Sequence, residues 1–245
     1  NYESGDVVDT DTTADSVSDT VAIDANALGA ISAGQIYILS TESGFGVNTE
    51  SELLAHAGDL VLSAEGDLVF EDITAAEDVE SRAESVSQTG DLYAGNDIDL
   101  ESETDLSVEG GVMVSGGDMV VNAGDEISNA GTVWSQGDMA VESGALSNTG
   151  TLYSEGAMLL DISEYWINDA GQVVALGDMD ASAGSLENTG TIYAEGDLSI
   201  RTEDMENADG YIVSSKNATI SAARIGNSAG IIAAEGDLDI DASDI

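Results

Sequence analysis

The chain has 245 residues, 42% of them hydrophobic, and its 49 Asp+Glu against 4 Lys+Arg give a formal net charge of −45. Such a surface repels phosphate backbones and anionic headgroups, which excludes nucleic acid as a partner, while the hydrophobic content is too high for a disordered acidic chain. No apolar run reaches the roughly 18 residues of a membrane helix, so no membrane insertion is expected, and the absence of cysteine excludes disulfide staples and zinc–thiolate sites.

Residues 1–48 read as poorly patterned first coils. Asp, Thr and Ser dominate 1–20. Alternation improves at Val21 and Ile23, and Ile36 and Ile38 share one face of a strand. Gly44 and Gly46 stand where a turn takes φ > 0. Residues 49–125 carry degenerate repeats. Gly58-Asp59-Leu60 and Gly66-Asp67-Leu68 each open an alternating strand. The stretch 71–84 has poor apolar spacing and is expected as an irregular strand or bulged coil.

Residues 126–245 are a regular array. Asparagines fall at Asn129, Asn148, Asn168, Asn188, Asn207 and Asn227, at spacings of 19, 20, 20, 19 and 20. A period near 20 marks a stacked repeat. Each period holds three short strands. The first centres two residues before the Asn (Leu146, Trp166, Leu186). The second holds pairs such as Leu152/Ser154 and Ile192/Ala194, and the third, after Gly-Asp, pairs such as Met139/Val141 and Leu198/Ile200. Three strands in about 20 residues leave no room for crossover helices. The expected fold is all-β, a right-handed parallel β-helix in which each coil pairs with the next. The whole length amounts to about 12 coils and a rod of roughly 55–60 Å. The lack of proline suits a chain that is nearly all hydrogen-bonded strand.

Asn and Gly at the corners are expected to take φ > 0, and stacked Asn side chains to bond to one another from coil to coil. Asn129, Asn148 and Asn188 have Gly two residues on. Asn168, Asn207 and Asn227 have it three residues on, which predicts a bulged corner.

Residues 189–200, Thr-Gly-Thr-Ile-Tyr-Ala-Glu-Gly-Asp-Leu-Ser-Ile, and 229–240, Ala-Gly-Ile-Ile-Ala-Ala-Glu-Gly-Asp-Leu-Asp-Ile, resemble the haemagglutinin repeats of filamentous haemagglutinin. Those repeats occur in the large exoproteins of two-partner secretion, which include adhesins and contact-dependent growth inhibition proteins. Residues 31–48 resemble the segment where that family's secretion domain runs into its repeats, and the repeat resemblance covers about 50–245. The Asn-Pro-Asn-Gly secretion motifs are absent, and the charge is more acidic than is usual for the family. The chain begins without a visible signal peptide and stops inside a repeat, so it is read as a piece of a longer protein. The resemblance implies a rod, secreted or held at the bacterial cell surface, exported through an outer-membrane partner transporter. Its receptor on a host, bacterial or matrix surface is not named by the sequence.

Catalysis has little to draw on. His56 is the only histidine and reads as a partly exposed strand or turn residue. The carboxylates are spread as a solvated skin rather than clustered as in a polysaccharide-active β-helix, so no catalytic residue and no cofactor are assigned. Asp97, Asp118, Asp138, Asp178, Asp197 and Asp237 recur at one turn position. Each either accepts hydrogen bonds from its own turn or, stacked, draws Ca2+ or Na+ as diffuse screening. Charge of this size also suits salty water, where self-repulsion is screened, so a marine or halophilic source is expected. Tyr93, Trp134, Tyr153 and Tyr193, with Val174 and Val213, form an outward stripe that serves either as a stabilising ladder or as a contact face. Trp166 falls at an inward position and predicts a locally widened coil. Asn217-Ala-Thr219 matches a glycosylation sequon. Three functions follow from this pattern: a non-enzymatic stalk for cell contact, a self-associating fibre or matrix module, and a polysaccharide-active enzyme.

Overall fold

A computed structural model describes residues 21–24, 30–42, 44–49 and 51–244; the poorly patterned stretch 1–20 lies outside them. The described residues are all-β, with every named strand paired in parallel to the equivalent strand one coil away. One sheet holds 11 short strands, from Ile31–Ala33 to Ile231–Ala234, and so counts eleven coils. The other holds 16 strands. In its earlier part this sheet has two branches, one from Val21–Asp24 and Gly46–Thr49 to Leu106–Val108, the other from Ile36–Ser40 to Ile98–Ser102. The coil there is a triangle of three short strands.

At Met119–Asn129 the two branches fuse, because one strand pairs with Ile98–Ser102 through its first half and with Leu106–Val108 through its second. Beyond it, Met139–Asn148, Met158–Asn168, Met179–Asn188 and Leu198–Asn207 each run through a bend. The three-strand coil thus becomes one long bent strand and one short one. In three of the bent strands the bend falls on a glycine that lies close against the neighbouring coil, whereas Met158–Asn168 and Leu198–Asn207 bend without one. A Cβ on Gly124 would lie 2.0 Å from the Glu103 carbonyl oxygen, one on Gly144 2.5 Å from that of Asp125, and one on Gly184 2.3 Å from that of Glu164.

Alternation fills the interior. Inward positions such as Leu60, Leu100, Leu146, Leu160 and Ile192 are buried, and outward ones alternate with them. Fully burying one such side chain is worth about 1.5–3 kcal/mol. The stretch 71–84 is not irregular. Ile73–Ala75 and Val79–Ala83 are ordinary paired strands, the second alternating inward Val79, Ser81 and Ala83 with outward Glu80 and Arg82. A buried Ser81 hid the pattern. Trp166 lies inside, 1% exposed, stacked between Leu146 and Leu186. The bend before it carries two residues, Ser163 and Glu164, where the coils on either side carry one, Gly144 and Gly184.

The corner after the Asn has two forms. In the longer one Ala170, Asp209 and Ala229 take φ of 54°, 59° and 57°, the left-handed conformation of the bulged corner. In the shorter one Gly131, Gly150 and Gly190 do not have positive φ, and the asparagines end strands. Glycine is required there by close approach. A Cβ on Gly150 would lie 2.1 Å from the Gly131 carbonyl oxygen, and one on Gly190 2.1 Å from that of Gly171. Gly150→Ala is therefore expected to destabilise the rod by about 1–3 kcal/mol through overpacking, while Gly110→Ala, where an added Cβ meets nothing within 4 Å, leaves the urea midpoint unchanged. Equal midpoints for the two variants would contradict the close-approach account.

Candidate functional site

Stacking at strand spacing turns each position of the repeat into a column, and three columns carry most of the polar chemistry. The first is asparagine. Asn129 Nδ2 donates to Asn148 Oδ1 at 2.8 Å, Asn148 to Asn168 at 2.8 Å, Asn168 to Asn188 at 2.7 Å, Asn188 to Asn207 at 2.7 Å, and Asn207 to Asn227 at 2.7 Å. All but Asn227 are at most 1% exposed. Each amide also serves the corner beside it. Asn188 Oδ1 accepts from Gly190 N at 3.2 Å, and Asn188 Nδ2 reaches the Tyr211 carbonyl at 3.3 Å. A buried amide is costly unless its donors and acceptors are paired, and here the neighbouring coil supplies the partner. Toward the N-terminus the same column continues as Val108, Gln88 and Phe70. Gln88 is buried and donates to the Gly90 carbonyl at 2.9 Å.

The second column is aspartate, and its geometry corrects the expectation that each Asp caps its own turn. Asp97 Oδ1 accepts from Asp118 N, Asp118 Oδ1 from Asp138 N, and Asp138 Oδ1 from Ala157 N, all at 2.8 Å. Asp178 Oδ1 accepts from Asp197 N at 2.8 Å. The carboxylate reaches the next coil because each turn's N–H points down the stack, so anionic acceptors meet main-chain donors instead of one another. Two members went unread in the sequence. Asp59 Oδ1 accepts from Asp78 N at 3.4 Å and Asp78 Oδ1 from Asp97 N at 3.1 Å, and their spacing of 19 was the available signal. Asn217 fills the same position, accepting from Asp237 N at 3.0 Å and donating to Asp197 Oδ1 at 3.0 Å, so the sequon's amide is already engaged. Among the described residues no three His, Cys, Asp or Glu side chains converge as a metal site would require.

A third column of small residues, also unread as chemistry, carries a hydroxyl at Ser115, Ser135, Ser154 and Ser214, and there the side chain closes the turn that follows. Ser135 Oγ donates to the Gly137 carbonyl at 3.0 Å, and Ser214 Oγ to those of Gly196 at 2.8 Å and Asn217 at 3.0 Å.

The outward stripe lies on the short-strand sheet. Tyr93, Val114, Trp134, Tyr153, Val174, Tyr193 and Val213 occupy successive register positions. Trp134 and Tyr153 pack edge to face, centroids 5.9 Å apart at 89°, the favoured aromatic geometry. Tyr193 Oη and Ser215 Oγ share a hydrogen bond of 2.8 Å. His56 is exposed, at a bend, with Nδ1 against the Ala33 carbonyl.

The three arginines lie on the long sheet, each against a carboxylate of a neighbouring coil. Arg224 grips Asp204 through Nε at 2.7 Å and Nη2 at 2.6 Å, Arg201 grips Asp180 at 2.7 Å, and Arg82 lies 3.5 Å from Glu101. The Arg224 guanidinium holds the Asp204 carboxyl below its ordinary range. Asp99 is the opposite case. Partial burial first, then the negative charge of Glu101, pushes its carboxyl above that range.

Two overlapping stretches, residues 6–180 and 142–244, match the family model described as the haemagglutinin repeat. No curated protein and no solved structure matches the chain.

Removing a middle rung tests the ladder. Asn168→Ala leaves buried groups of Asn148 and Asn188 without their partner and is expected to cost about 1–3 kcal/mol. Asn227→Ala, at the exposed end, costs less. Equal losses by chemical denaturation would count against the ladder. A second outcome concerns pH. The folded-state pKa of Asp99 is raised, so stability falls as pH rises through the window above the ordinary Asp value of about 3.9. Asp99→Asn should raise the melting temperature at neutral pH, and the gain should vanish below that window. A gain independent of pH would contradict the assignment.

Proposed function

Because the chain belongs to the haemagglutinin-repeat family, we propose that it is a non-enzymatic rod within a large bacterial surface adhesin or exoprotein, a stalk that carries contact-making parts away from the cell. The observation that carries this reading is where the polar chemistry goes. The buried asparagines and the aspartates are spent on bonds from one coil to the next, joined by the turn hydroxyls of Ser154 and Ser214. Their geometry builds length and stiffness. The family setting supports secretion or surface display, export through an outer-membrane partner transporter, and a receptor on a host, bacterial or matrix surface. The acid skin fits a saline exterior, where screening relieves self-repulsion.

The test is location. An antibody raised against residues 51–244 should label intact cells expressing the parent protein, or their medium, and protease added to intact cells should remove the label. Signal confined to the cytoplasm would overturn the reading. The melting temperature should rise from low to molar NaCl, and a flat response would show that self-repulsion does not control stability.

A further inference from the structure

The two sheets differ in how they treat charge. The eleven short strands of one sheet, outward positions included, contain no Asp, Glu, Lys, Arg or His. The outward positions of the other carry Glu80, Arg82, Asp99, Glu101, Asp180 and Arg201. Strand propensity alone would favour similar residues on both, so the contrast singles out the short-strand face. On a chain of −45, it is a surface that a second copy can approach without bringing strand carboxylates face to face.

The order of large and small residues along the stripe is self-complementary. Take a second rod turned end for end about an axis parallel to the strands, passing between the strands of Val174 and Tyr193. Trp134 then faces Ala233, Tyr153 faces Val213 and Tyr193 faces Val174, following the coil-by-coil register. Every ring meets a small side chain. The residue after each short strand obeys the same pairing. Glu155 faces Ser215, Glu195 faces Leu176 and Glu235 faces Gln136, so no two carboxylates of this rim meet. Large exposed side chains lie on the same face, with Tyr211 at 50% and Ile231 at 47%.

We propose that the short-strand face pairs with the same face of a second copy, rods antiparallel, through this dyad. The contact is isologous and closes on itself, giving a dimer rather than an open fibre. Six overlapping coils span roughly 29 Å, and a strand with one rim residue on each side spans about 20 Å. The pair would bury roughly 1,200 Å² in total, at the low end for a specific complex. Net repulsion opposes it, so dimerisation should strengthen as salt rises.

Sedimentation velocity of the 245-residue chain at high micromolar concentration, from low to molar NaCl, is expected to show a monomer giving way to a dimer. Val213→Asp, placed opposite the Tyr153 ring of the second copy, should weaken the dimer tenfold or more. Thr219→Asp, outward on the other sheet, should not. The chain has no cysteine, so the register can be read directly. A mixture of Val174→Cys and Tyr193→Cys copies should cross-link through a short bismaleimide, and a mixture of Ser199→Cys and Thr219→Cys copies should not. A monomer at every salt concentration, equal cross-linking of both mixtures, or a monomer that instead binds a soluble neutral glucan through Tyr153 and Tyr193 would each overturn the proposal. Surface display of the parent protein is independent of all these outcomes.

Discussion

The rod rests on one constraint. A coil of about twenty residues is too small to bury anything by itself, and its only partners are the coils before and after it. Inward side chains, turn N–H groups and the buried asparagines of the ladder therefore find their complements chiefly at the same position one coil away. Parallel pairing in constant register answers that need for the main chain. Columns of like residues answer it for side chains, and asparagine suits the buried corner because its amide donates along the stack with one end and accepts with the other.

The same constraint disciplines the charge. A carboxylate stacked on a carboxylate would be repelled, and the turn aspartates avoid this by accepting main-chain N–H groups of the following coil. Arg201 and Arg224 meet the acids of the coil below. Exposed pairs of this kind add little stability, but they leave the short-strand sheet clear of charge. Acidity and architecture thus divide the molecule into a solvated long sheet and an uncharged short one, while family membership speaks only to the stacked repeat itself.

Much of this was legible in the sequence because repetition made it so. The spacing of the asparagines, the inward pairs and the place of Trp166 follow from alignment of one period against the next. What stayed hidden depends on contacts between coils. The reason for Gly150 lies in the Gly131 carbonyl above which it sits, not in its own dihedral angles. The partner of Asp118 is in the next turn. The fusion at Met119–Asn129 depends on pairing that continues through a bend. Before residue 126 the columns change identity, with Gln88 and Val108 in the place of asparagine and Ser81 among leucines, so composition no longer marks the period. In the candidate contact surface the outward stripe was readable, but the charge-free face was not, since it emerges only when strands far apart in the chain are sorted by sheet.

Neighbour-only contact also determines how such a rod yields to force. Tension applied along its axis opens the interface between an end coil and the next, where hydrogen bonds lie in the direction of pull and separate like a zipper rather than shear together. Each coil released frees about twenty residues, or roughly 65–70 Å of chain for some 5 Å of rod lost. A tether of this construction would lengthen more than tenfold in small steps, absorbing a sudden load coil by coil while the remainder stays folded and ready to serve as the template on which the slack rewinds.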